Sequence, residues 1–201
     1  MTLECQPALP VLWFWMRLFI AIALSPDATE MLRGLRSRLA PHAGHEVRWS
    51  TEEGWHVTLQ FLGQTSDEQA ACAITSLQGI QAVPVPIRIE GLDFFDKAGI
   101  FHAGVVISSE LLALQQKVTA ATRSCGFTPE DRAYHPHITL ARAKGRAGSR
   151  ALSPLKHALR RTKENPVAEF TADEFLLYES FPGPEGSRYE VRARFPLNAG
   201  R

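Results

Sequence analysis

The sequence predicts an α+β protein of two pseudo-symmetric lobes, each a mostly antiparallel sheet with helices outside. Three observations carry this. Candidate strands come in pairs joined by tight turns, which favours antiparallel or mixed sheets over the parallel sheets that long crossovers build. Helical stretches alternate with these strands along the chain. The tetrapeptide His-aliphatic-Thr-Leu occurs twice, as His56-Val57-Thr58-Leu59 and His137-Ile138-Thr139-Leu140, about eighty residues apart and each time in a strand-like stretch.

Taken in order, "MRLFIAIAL" from Met16 reads as a buried first strand. Ser25 with Pro26, Asp27 and Glu30 then starts a helix: a capping side chain, proline at the first position and acids in the first turn. Met31, Leu32, Leu35 and Leu39 form its apolar face. "EVRW" (46–49) is a short strand, and the first motif strand follows, ended by Gly63. Ser66, Asp67 and Glu68 open a second helix that reaches about Leu77. "VPIRIEGLDFF" (85–95) and "FHAGVVIS" (101–108) form two strands around a turn at Lys97–Gly99. A helix from about Ser109 to Ser124 buries Leu112, Leu114, Val118 and Ala121, with Gly126 as its stop. After the second motif strand come a Gly- and Arg-rich loop (145–150) and a short helix near 153–161. "VAEFTADEFLLYES" and "SRYEVRARFPL" read as two closing strands joined at "FPGPEG".

Side chains alternate across a strand. In each motif the histidine and threonine therefore share one face, and the aliphatic residue and leucine anchor the other in a core. If the two lobes face each other, two imidazoles and two hydroxyls line one cleft. That set suits displacement at a phosphodiester, where attacking and leaving oxygens lie on opposite sides of phosphorus. One histidine takes a proton from the attacking oxygen and the other protonates the leaving oxygen, because imidazole titrates near neutrality. Thr58 and Thr139 can donate to the non-bridging oxygens, and Arg142 adds a charged fork for them. The similarity of the two motifs leaves open which histidine is the acid and which the base.

The remaining chemistry is mostly exclusion. A net charge of +1 gives no basic surface for long nucleic acid, so a nucleic-acid substrate would be an end or a short fragment. His135 shares a strand face with His137 and raises a metal reading. No third ligand has convincing spacing and threonines ligate poorly, so no metal and no cofactor are expected. His42, His45, His102 and His157 stand apart from any motif and are expected on surfaces or in loops. Three cysteines, Cys5, Cys72 and Cys125, without CxxC spacing suggest free thiols in a reducing compartment and a cytoplasmic protein. The apolar run 8–24 lacks a preceding basic residue, is interrupted by Arg17 and is short for a membrane span. Residues 1–15 are therefore expected to be an extension that results from a start codon set too far upstream, and 16–201 a single bilobal domain, monomeric and without an obligatory protein partner.

The paired motifs resemble those of the two-histidine (2H) phosphoesterases, and more closely the bacterial RNA 2',3'-cyclic phosphodiesterases, also called 2'-5' RNA ligases. "MRLFIAIAL", "WHVTLQFLG", "YHPHITLARAK", "LYES" and "RYEVRARFPL" carry the resemblance along most of the chain from Met16. It implies a bilobal fold with a central cleft and metal-free, ATP-independent hydrolysis of terminal 2',3'-cyclic phosphates to 2'-phosphates, on RNA ends or small nucleotides. It places His56 and His137 in catalysis and Thr58 and Thr139 on the phosphate. The family often has an arginine where His135 stands. The alternatives are ligation through a 2'-5' bond and a non-catalytic module that binds nucleotides or RNA ends.

Overall fold

The computed structural model describes residues 15–183 and 186–198. Nine strands form two antiparallel sheets among these residues. The first has the order β3-β1-β8-β9, from β1 (Met16–Ala23), β3 (His56–Thr65), β8 (Glu174–Gly183) and β9 (Gly186–Pro196). The second has the order β2-β6-β5-β4-β7, from β2 (Val47–Trp49), β4 (Val85–Phe95), β5 (Ile100–Val105), β6 (His137–Ala143) and β7 (Val167–Ala172). Each motif strand thus belongs to a different sheet.

Four α-helices cover these sheets. Ser25 caps α1 (Pro26–Leu39) by accepting from the Ala28 amide at 3.2 Å. Ser66 caps α2 (Asp67–Gln78) in a reciprocal box, its hydroxyl accepting from Gln69 N–H while the Gln69 side chain accepts from Ser66 N–H. Both pairings satisfy amides that a helix start leaves without partners. Ser108 caps α3 (Ser109–Arg123), and α4 (Ser153–Thr162) begins with Pro154 in its first turn. In α3 the buried residues are Leu111, Leu114, Val118 and Thr122, whereas Leu112 is exposed. The expected face was rotated by about one residue, because the run Leu111-Leu112 leaves its phase open. One hydrophobic cluster runs through both sheets, with Ile20, Val57 and Leu177 from the first and Ile87, Phe101 and Ile138 from the second.

Two further expectations are corrected. The stretch 167–180 is two strands, not one: β7 pairs with β4, and after Asp173 the chain crosses to the other sheet, where β8 pairs with β1. Cys72 and Cys125 are not free thiols. They form a disulfide, because α2 and α3 pack together and bring residues 53 apart in sequence to a Cα separation of 5.7 Å. Cys5 and the extension up to residue 14 lie outside the described residues, as do Pro184 and Glu185 of the last turn. The part of the apolar amino-terminal run that is described is strand β1, and no described helix is long and apolar enough to cross a membrane.

Candidate active site

Alternation along the two motif strands is as the pattern predicts. Val57, Leu59, Ile138 and Leu140 are buried, at 0 to 3% exposure. His56, Thr58, His137 and Thr139 are half-buried on the opposite faces. Tyr134, in the loop before the second motif, donates its hydroxyl to the Thr58 carbonyl at 3.0 Å and so ties the second motif's approach to the first motif's backbone.

His56 stands among three rings: Phe19 at 4.6 Å between centroids, Tyr189 edge-on at 5.4 Å, and Tyr178 at 6.0 Å. This packing fixes the imidazole plane and strips its water. Burial, then the nearby charges of His137 and Arg142, lower its pKa from 6.5 to about 4. At neutral pH the ring is uncharged and able to accept a proton.

His137 is held differently. Its Nδ1 lies 2.8 Å from the His135 carbonyl oxygen. A carbonyl only accepts, so Nδ1 carries the hydrogen and Nε2 is the nitrogen left free. Burial lowers the pKa of His137, while the bond to the His135 carbonyl works the other way by favouring the imidazolium. Phe95 stands edge-on to this ring at 4.8 Å.

A third imidazole lies behind it. His102, on β5 opposite Thr139, is 1% exposed, stacks on Phe95 at 4.1 Å and has its ring centroid 5.2 Å from that of His137. Neither of its ring nitrogens has a well-formed hydrogen bond among the described residues, though the Ala103 backbone lies close enough to favour the charged ring. Burial, then the charge of His137, lowers its pKa to about 4. The expectation of a surface or loop position for His102 is therefore corrected. Its signal was present in "FHAGV": a histidine alternating between Phe101 and Ala103, both fully buried, must face the opposite side of the same strand. His135 is exposed, 6.1 Å from His102, and His42, His45 and His157 are exposed as expected. Among the described residues no group of three or more His, Cys, Asp or Glu side chains is placed to hold a metal ion.

Arg142, on β6, is open to solvent yet lies in concave surroundings that desolvate its guanidinium and lower its pKa. Its charge reaches both His56 and His137. It makes no ion pair among the described residues, where Arg33, Arg38, Arg88, Arg192 and Arg194 each find a glutamate. A cavity of about 450 Å³ opens beside it between β2 and the β8–β9 hairpin. Sequence reasoning also missed the aromatic enclosure of His56, whose members come from β1, β8 and β9 and carry no local signal.

Two antiparallel sheets that each carry one His-x-Thr strand, with the His137 charge acting on His56, define a phosphoesterase of the two-histidine kind. Within that class the chain belongs to the 2'-5' RNA ligase superfamily, whose family model matches residues 51–180. It is 32% identical over 170 residues to an RNA 2',3'-cyclic phosphodiesterase of Aeropyrum pernix, covering 81% of this chain and 94% of that one. A protein of the same name from Thermotoga maritima is 29% identical over 187 residues, covering 88% of this chain and 92% of that one. The crystal structure of E. coli LigT complexed with 3'-AMP superposes with a TM-score of 0.74 at 22% identity, over 92% of this chain and all of that one, a likeness of fold.

Proposed function

We infer that the protein is a hydrolase, an RNA 2',3'-cyclic phosphodiesterase that opens terminal 2',3'-cyclic phosphates to 2'-phosphates without a cofactor. The observation that supports it most is the pair of histidines on strands of different sheets, electrostatically coupled to each other and to an arginine with no carboxylate partner among the described residues. His56, held neutral, takes the proton of a water that attacks phosphorus. His137, with Nδ1 bound to the His135 carbonyl, gives its Nε2 proton to the departing 3'-oxygen. Water and the cyclic diester become a monoester and a free 3'-hydroxyl, and the two histidines exchange protonation states. Thr58, Thr139 and Arg142 hold the non-bridging oxygens, whose charge rises as the water attacks. Ligation through a 2'-5' bond follows the same course over the same residues, with a 5'-hydroxyl attacking phosphorus in place of water and the 3'-oxygen leaving.

Purified protein incubated with a 2',3'-cyclic nucleotide monophosphate is expected to release the 2'-phosphate, identified by chromatography against both isomers. Absence of turnover would leave only a binding module. EDTA is expected to leave the rate unchanged; activity lost to chelator and restored by zinc or manganese would make His135 and His137 ligands instead.

We place the catalytic unit at 16–201, as one bilobal domain acting as a monomer on RNA ends or small nucleotides. Trp15 is 59% exposed and β1 starts at Met16. Deleting residues 1–15 is expected to leave turnover and melting temperature unchanged, since the first strand starts only at Met16. A large loss of soluble protein would show that the deleted segment packs on the domain.

A further inference from the structure

We propose that Arg48, with the cavity beside it, binds the phosphate on the 5' oxygen of the nucleotide whose cyclic phosphate is opened, so that the site takes the end of a strand in preference to a free cyclic mononucleotide. This rests on the phosphodiesterase reading of the cleft. Four observations lead to it.

The first is register. β2 pairs with β6 so that Arg48 stands directly opposite Arg142. Like charges facing each other across a strand pair are destabilising, and the charge of Arg48 indeed adds to the desolvation that lowers the pKa of Arg142. The second is the lack of internal compensation: neither guanidinium has a carboxylate partner among the described residues. An opposed, partly desolvated arginine pair costs the fold stability, and an anion between or beside the two offsets that cost.

The third observation is space. Arg48 and Arg142 line the cavity of about 450 Å³ together with Arg188, Tyr189 and Ser50. Its one lining carboxylate, Glu53, is exposed, and Arg188 is ion-paired with Glu190. The fourth is continuity with the reaction site. Arg142 acts on both catalytic histidines, and Tyr189 packs edge-on against His56. Arg48 lies one strand further out, a step of about 4.8 Å.

Chemistry then selects the occupant. A terminal 2',3'-cyclic phosphate uses both ribose hydroxyls, so the nearest other phosphate of an RNA end is the one on the 5' oxygen of the same ribose. A single extra phosphate contact also fits a chain whose net charge of +1 offers no extended basic surface.

Adenosine 2',5'-bisphosphate and adenosine 2'-monophosphate are the probes, with dissociation constants measured by calorimetry at low salt. The protein is expected to bind the bisphosphate about ten- to a hundred-fold more tightly, as one charge-assisted contact gives. In Arg48→Gln that ratio is expected to fall to within about threefold of unity, and Arg48→Lys to keep part of it. The same loss of preference is expected in kcat/KM for a dinucleotide ending in a 2',3'-cyclic phosphate over the cyclic mononucleotide. A ratio near one in the unaltered protein, or one unchanged in Arg48→Gln, overturns the proposal. The binding ratio is read without turnover. A protein that hydrolyses neither substrate but shows the Arg48-dependent ratio therefore keeps the subsite and loses the hydrolase reading.

Discussion

His56→Ala and His137→Ala are each expected to lower kcat by about 10²- to 10⁴-fold, the usual contribution of a general base or acid. Substrate binding changes less, because neither ring is the main holder of phosphate charge. The double variant is expected to be little worse than the worse single one, since two groups that share one proton-transfer cycle act as a unit. Thr58→Ala and Thr139→Ala remove a neutral hydrogen bond of about 1 kcal/mol and cost roughly fivefold. The pH profile of kcat/KM assigns the roles. His56 must be neutral, so the acid limb falls near its pKa of about 4. His137 must be protonated, so activity declines as pH rises through its pKa, which burial holds below the ordinary 6.5. The free-enzyme optimum is therefore expected on the acid side of neutrality. Removing His56 should abolish the acid limb and removing His137 the alkaline one. The opposite pattern would exchange base and acid, and a dispensable histidine would mean that the two motifs do not share a site.

His102→Phe is expected to stabilise the protein. At neutral pH neither ring nitrogen of the buried imidazole has a well-formed hydrogen bond among the described residues and the Ala103 backbone compensates only in part, a burden of about 1–3 kcal/mol that a phenyl ring of similar shape avoids. The gain should grow on acidification. His102 titrates at about 4 in the fold against 6.5 when free. As pH falls through 6.5, the unfolded chain takes up the proton first, and the folded state loses ground until about pH 4. That loss comes mainly from burying the charged ring. His102→Phe removes it, so denaturant melts at pH 7 and pH 5 should show a higher midpoint for the variant at both, with the larger gap at pH 5. A lower midpoint would mean that the imidazole is hydrogen-bonded in solution. The charged and titratable groups facing His102 are His137 from β6, His135 before it and Asp93 from β4, and all three remain in the variant.

What the sequence made legible was local. Ser25 and Ser66 cap helices through contacts within four residues, and the His-x-Thr alternation puts functional and core side chains on opposite faces with no knowledge of the partner strands. Those rules do not reach across the fold. Residues 167–180 look continuous because only Asp173 separates two runs of strand formers, and the change of sheet depends on which neighbours, β4 or β1, still need pairing. The Cys72–Cys125 bond depends on α2 lying against α3. Arg48 looked like one residue of a short strand until pairing put it opposite Arg142.

The interleaving of the two sheets along the chain bears on how the molecule comes to exist. β1, the first strand described, sits between β3 and β8, so one of its edges stays open until residues near 180 have been made. An unpaired apolar edge is a template for association with other chains, and pairings this distant in sequence form slowly. During synthesis the nascent chain therefore carries a sticky Leu18–Ala21 edge through most of translation. Neither half of the protein, expressed alone, should fold into a working lobe. Refolding of the whole chain should be slow and favoured by dilution, with the enclosure of His56 by Tyr178 and Tyr189 among the last events.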